Sequence, residues 1–219
     1  MIARIAHIIS WVFLPLFMPL YALLITLYTP SSEKILSNAS LFELPDELKT
    51  QLLFLFIIFG TVAPGLSFIL MYRRRLITTI EMDNRSERSI PLFIVLSYCL
   101  ILFLLFFFKA PNLVLPRYIY ALPLTGGVIS VLFIVINFRT KISLHAAGTG
   151  ILTGYFCAFA TQQLQFNYLL ILVALMVSGL VISARLVLNK HTPFQVYLGW
   201  VLGFLVAFVC NMYYPFGLI

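Results

Sequence analysis

Residues 167–210 read "NYLLILVALMVSGLVISARLVLNKHTPFQVYLGWVLGFLVAFVC". The runs Asn167 to Leu188 and Pro193 to Tyr214 are each long enough to cross ~30 Å of hydrocarbon, which takes roughly 17 to 25 helical residues. Between them, "SARLVLNKHTPFQ" (Ser183 to Gln195) places Arg185, Lys190 and His191 within a few positions of one another. Long apolar runs broken by short charged junctions are the pattern of a polytopic membrane protein, and the rest of the chain repeats it. Further candidate spans are Ile8 to Tyr28, Leu52 to Tyr72, Ile90 to Phe108, Arg117 to Asn137 and His145 to Thr161.

Over all 219 residues, 62% are apolar and 10% charged, whereas soluble domains carry about 25% charged residues. Backbone polar groups in lipid must be satisfied within the segment, and barrel strands would alternate with a period of two, which these runs do not. The expected fold is therefore all-α, a polytopic transmembrane helical bundle of about six to seven spans. It forms one integral membrane domain over residues 1–219, with no soluble domain left over. The first apolar run reaches about twenty residues without a small-residue cleavage site and reads as a retained helix. Cys99, Cys157 and Cys210 all fall within spans and read as packing residues.

The net charge of +7 does not mark a nucleic-acid binder, because there is no soluble surface on which cations could line a duplex. With seven spans, Lys34, Lys49, Lys109 and Arg117 share one membrane face. The other ten of the fourteen Lys and Arg residues lie on the opposite face, which the positive-inside rule would make cytoplasmic. Residues retained for chemistry do not report topology, so the side on which the site opens stays open; the expected location is a bacterial cytoplasmic membrane. The stretch "SNASLFELPDELKT" (Ser37 to Thr50), in the long polar connection 29–51, reads as a short amphipathic interfacial helix. There is no internal repeat of the kind that builds inverted-repeat transporters.

Three polar clusters interrupt the hydrocarbon: "EMDNRSERSIP" (Glu81 to Pro91), "RTKISLHAAG" (Arg139 to Gly148) and Ser183 to Gln195. Each follows an even-numbered span, so all three share one face. Arg88, Lys141 and Arg185 offer fixed positive charge, and guanidinium groups match phosphate oxygens in a bidentate fork. Ser143 is placed to N-cap the fifth span. Thr192, with Pro193 and Gln195, forms a capping-box pattern at the seventh. Helix starts present free N–H groups to anions. Gly150 and Gly154, and Gly199 and Gly203, sit four apart and allow two helices to approach closely.

His145 and His191 flank this anion-binding arrangement. One histidine can attack phosphorus while the other donates a proton to a leaving oxygen. A histidine pair could also bind a metal, but no carboxylate or cysteine stands close enough in these clusters to complete a ligand set. Taken singly, each cation could be a snorkelling anchor; their coincidence on one face argues for a shared site.

The three clusters resemble the motifs of the type 2 phosphatidic acid phosphatase family, the membrane lipid phosphatases related to vanadium haloperoxidases. That family's third motif runs Ser-Arg, five residues, His, three residues, Asp. Here Arg185 and His191 keep the interval, one alanine follows Ser183, and Gln195 replaces the aspartate. "ISLH" (Ile142 to His145) keeps the Ser-His of the second motif. In the first, Lys, six residues, Arg-Pro, the best match to the arginine is Arg88, with Arg85 the alternative; Glu81 stands where the lysine would be, and Lys141 is a candidate to replace it.

The resemblance implies a phosphatase-like core over about 52–215 and a metal-independent, cofactor-free lipid phosphatase. His191 would be the nucleophile, His145 the general acid, and Arg185 a catalytic cation. Arg88, Lys141, Ser143 and Arg85 would bind phosphate, and Gln195 would orient His191. Glu87 or Asp83 could supply the missing carboxylate. The implied partners are the bilayer and a phosphorylated lipid such as phosphatidate, phosphatidylglycerol phosphate, a polyprenyl diphosphate or a lipid A phosphate. The alternative is a relative that binds or translocates phosphorylated lipid without hydrolysing it.

Overall fold

The computed structural model describes residues 1–33, 40–82, 84–109 and 115–214. Among these the fold is helical apart from one short antiparallel pairing of β1 (Ser32–Glu33) with β2 (Gln163–Gln165). The helices in chain order are α1 (Ile2–Val12), α2 (Met18–Tyr28), α3 (Asp46–Ile57), α4 (Ala63–Arg73), α5 (Ser89–Lys109), α6 (Tyr118–Asn137), α7 (Leu144–Gln162), α8 (Leu169–Val187) and α9 (Pro193–Tyr213). Among the described residues six stretches are long and apolar enough to span a membrane: 2–28, 46–73, 85–108, 118–137, 169–187 and 193–213. The chain is an integral membrane protein.

Two expected spans are not simple rods. The first breaks into α1 and α2 around a turn of 3-10 helix at Pro15–Phe17, because the Pro15 ring removes an N–H donor and disfavours helix in the residue before it. The second starts earlier than expected. Asp46 and Glu47 occupy the first turn of α3, where acidic side chains suit the positive end of the helix dipole. That turn takes up the end of the stretch expected to be a separate interfacial helix; Leu41 and Leu44 before it are buried, and 34–39 lies outside the described residues. Between α3 and α4 the helix widens into a π-turn over Ile58–Val62. Pro64, four residues beyond Gly60, explains the widening: its ring would collide with the Gly60 carbonyl in a regular α-helix.

α7 is the axis of the bundle. Nearly all its residues are buried, from His145 to Ala160. It falls short of the apolarity of the six spans because it faces protein on every side and carries Gly, Thr and Ala where its neighbours carry Leu and Phe. The four expected glycines explain how closely α9 approaches. A Cβ on Gly150 would run into the Trp200 carbonyl, on Gly154 into that of Phe204, on Gly203 into that of Ala147, and on Gly199 into that of Ser143. The backbones of α7 and α9 therefore touch along their length, as small-residue pairs permit. Thr153 and Ser178 link α7 to α8 at 3.3 Å, and Thr26 and Tyr155 link α2 to α7 at 2.9 Å. Side chains such as Phe107, Leu172, Met176 and Leu180 remain exposed and form the lipid-facing surface.

Candidate active site

The third cluster folds as two helix ends joined back to back. α8 closes with a Schellman turn: the Lys190 N–H donates to the Arg185 carbonyl at 3.2 Å, the Asn189 N–H to Leu186 at 2.9 Å, and Asn189 takes φ 51°. α9 opens immediately with the capping box, Thr192 Oγ1 accepting from the Gln195 N–H at 3.4 Å and Gln195 Oε1 from the Thr192 N–H at 3.2 Å. The five residues between Arg185 and His191 are thus the length needed to finish one helix and start the next. This sets Arg185 in the last turn of α8 and His191 just ahead of the α9 cap.

The capping box also fixes the tautomer of His191. A backbone N–H can only donate, so Gln195 presents its amide oxygen to Thr192. The same oxygen lies 3.2 Å from His191 Nδ1. Nδ1 therefore carries the ring hydrogen, and the lone pair is left on Nε2. Burial first, then the positive charges of Arg88, Lys141 and Arg185, hold the His191 imidazole far below the usual histidine range, at about 3; the Gln195 hydrogen bond pulls the other way. With no anion bound, His191 is neutral at pH 7.

Ser143 caps α7 as its position suggested. Its Oγ accepts from the Ala146 N–H at 3.3 Å, and its own N–H donates to the Gln195 carbonyl at 3.3 Å. The first turn of α7, which holds His145, is thereby tied to the first turn of α9. The first cluster is braced against this junction. Arg88 donates from Nε to the Met82 carbonyl at 2.8 Å and from Nη1 to that of Ile142 at 2.7 Å. Arg85 donates to the Arg139 carbonyl at 2.8 Å, and Asn137 to the Arg85 carbonyl at 2.9 Å.

Arg88, His145, Arg185 and His191 line one cavity of about 290 Å3 and are 4%, 7%, 1% and 9% exposed. Lys141 acts on His191 through its charge without lining the cavity wall. Arg85, Ser143 and Gln195 also stand behind or beside the wall: Arg85 ties two loops, Ser143 caps a helix, and Gln195 acts through His191.

Two residues join the site that the sequence did not place there. Glu81 Oε2 lies 3.2 Å from both Nη1 and Nη2 of Arg185 and 3.9 Å from Lys190 Nζ. Its signal was its position in the first motif, a carboxylate where a lysine is expected. Ser10 of α1 accepts from Arg185 Nη1 at 3.4 Å, and its backbone bonds His145; its only signal in the sequence was a hydroxyl within an apolar run. Glu87 instead accepts from the Thr78 N–H at 2.7 Å and from Asn84 Nδ2 at 2.9 Å, and Asp83 lies outside the described residues. Among the described residues no three His, Cys, Asp or Glu side chains gather as a metal site would require.

A helical bundle in the membrane, with two histidines and buried arginines around one pocket at the junction of its helix ends, defines the class. The family model described as PAP2 superfamily matches residues 57–217, and the chain belongs to that superfamily, whose members are generally metal-independent phosphatases. No curated protein and no solved structure matches the chain.

Proposed function

We propose that the protein hydrolyses a phosphomonoester or diphosphate of a membrane lipid through a phosphohistidine. The observation that carries this reading is the convergence of His145, Arg185, His191 and Arg88 on one cavity inside an apolar bundle. His191 Nε2 attacks phosphorus while the bond to the lipid oxygen breaks, and His145 gives that oxygen its proton. His145 then takes a proton from water as the water oxygen attacks the phosphohistidine, and the P–N bond breaks to release inorganic phosphate. A bound phosphate dianion favours the protonated form of a neighbouring histidine, which suits His145 to the first of these steps. Arg185 and Arg88, with the positive field of Lys141, stabilise the equatorial oxygens of the transition state.

A second reading, a relative that binds phosphorylated lipid with little or no turnover, is favoured by Gln195 in the aspartate position and by Glu81 on Arg185. The experiment that separates the two is phosphate release from a panel of lipid phosphates in chelator-treated detergent solution, with His191→Ala as control. Hydrolysis lost in the variant supports the enzyme; lipid binding without release in either protein supports the binder.

A further inference from the structure

The cavity does not end at the polar cluster. From Arg88, His145, Arg185 and His191 it runs on between α1, the α3–α4 span, α5, α6 and α7, along a wall of apolar side chains that includes Val95, Ile129 and Phe133, to Phe56, Leu102 and Leu122. The last three belong to the core cluster around the α2–α7 interface. The one hydroxyl in this deeper part, Ser130, already donates to the Gly126 carbonyl at 2.8 Å. Its other polar side chain is the weakly hydrogen-bonding Cys99 thiol, so a ligand there meets almost only hydrocarbon.

Two glycines line this wall without a packing reason. A Cβ on Gly60 or on Gly65 would meet nothing within 4 Å, unlike the glycines at the α7–α9 contact, which abut backbone. Both belong to the α3–α4 span, Gly60 inside the π-turn and Gly65 just beyond it. A side chain at either position would extend into open space beside the cavity.

We infer that the cavity holds an apolar chain attached to the substrate's phosphate, and that Gly60 and Gly65 set how much chain it accepts. The inference rests on the reading that phosphate binds at His191. A volume of about 290 Å3 lies at the low end of ligand pockets, roughly 300–1,000 Å3, so it takes one chain, and a second chain of the same lipid stays in the bilayer. The occupant follows from continuity: the polar end binds the headgroup, and this apolar wall runs on from it within the same cavity. An unfilled apolar void forfeits dispersion contacts along its lining, which the chain restores.

The test uses n-alkyl phosphonates, which carry a phosphate-like headgroup and no ester to hydrolyse. Their affinity for the full chain and for Gly60→Leu and Gly65→Leu is measured by calorimetry in the same micelles, so that partitioning into detergent cancels between proteins. The ratio of wild-type to variant affinity is expected to grow from ethyl to decyl phosphonate by about tenfold, the equivalent of two buried methylenes lost. A ratio that stays constant with chain length in both variants overturns the inference. If that ratio grows while no lipid phosphate is hydrolysed, the chain site stands and the hydrolase reading fails. If lipid phosphates are hydrolysed and the ratio is flat, the reverse holds.

Discussion

The Glu81 carboxylate sits 3.2 Å from both terminal nitrogens of Arg185, where the fork of the guanidinium would otherwise meet two phosphate oxygens. The contact spans 104 positions of sequence and joins the first cluster to the third. A carboxylate oxygen of the chain therefore holds both terminal nitrogens of Arg185, and on the proposed reading a phosphate bound by that arginine would have to displace it.

Glu81→Gln removes that competing charge. Inorganic phosphate should then inhibit, or bind, about tenfold more tightly, in the range of one charge-assisted hydrogen bond; competitive inhibition or calorimetry measures it. Weaker phosphate binding in the variant would mean that Glu81 acts by holding Arg185 in place.

Gln195 orients His191 without giving it charge. Gln195→Glu keeps a capping-box acceptor and adds a carboxylate beside Nδ1, which stabilises the imidazolium and the intermediate formed from it. Turnover should rise by about tenfold, and Gln195→Ala, which loses both the cap and the tautomer lock, should lower it by roughly a hundredfold, the scale of one lost preorganised group. Equal turnover in all three proteins would remove Gln195 from the mechanism.

The touching backbones of α7 and α9 leave no room for a methyl group. Gly203→Ala, which would press on the Ala147 carbonyl, should lower thermal stability by about 1–3 kcal/mol and reduce activity by separating the helix starts that hold His145 and His191. Gly179→Ala on α8, where a Cβ meets nothing within 4 Å, is the control and should be neutral or stabilising by up to about 1 kcal/mol. Both are read from melting temperatures in detergent.

His191 links stability to pH. Its imidazole is held at about 3 in the folded protein against an ordinary value near ~6.5 in the unfolded chain. Between these values the unfolded chain binds a proton that the folded site excludes, so stability falls as pH drops below ~6.5, by at most about 1.4 kcal/mol per pH unit from this group. His191→Gln should flatten that dependence. An unchanged slope would show that other groups carry it.

Much of this was legible in the sequence because the signals are local. Apolar runs marked the spans, Ser143 and Thr192 announced their helix starts, and the glycine pairs marked the closest helix contact. The Arg185 to His191 interval could be read as a motif because a Schellman turn and a capping box fix its length. What could not be read depends on tertiary approach. Ser10 reaches Arg185 because α1 packs on α8, and Glu81 does so because the first cluster folds under the ends of α6 and α8. The first span looked continuous because Pro15 lies within an unbroken apolar run.

On the proposed mechanism His191 is the nucleophile that displaces the lipid from its phosphate. The most direct measurement is phosphate release from a lipid phosphate by the purified protein in the presence of a metal chelator, with acid-quenched protein examined for phosphate bonded to histidine. Release is expected, together with a trapped phosphohistidine at His191, and both should be lost in His191→Ala. Release that persists in His191→Ala, or turnover with no phosphate on His191, would contradict this mechanism.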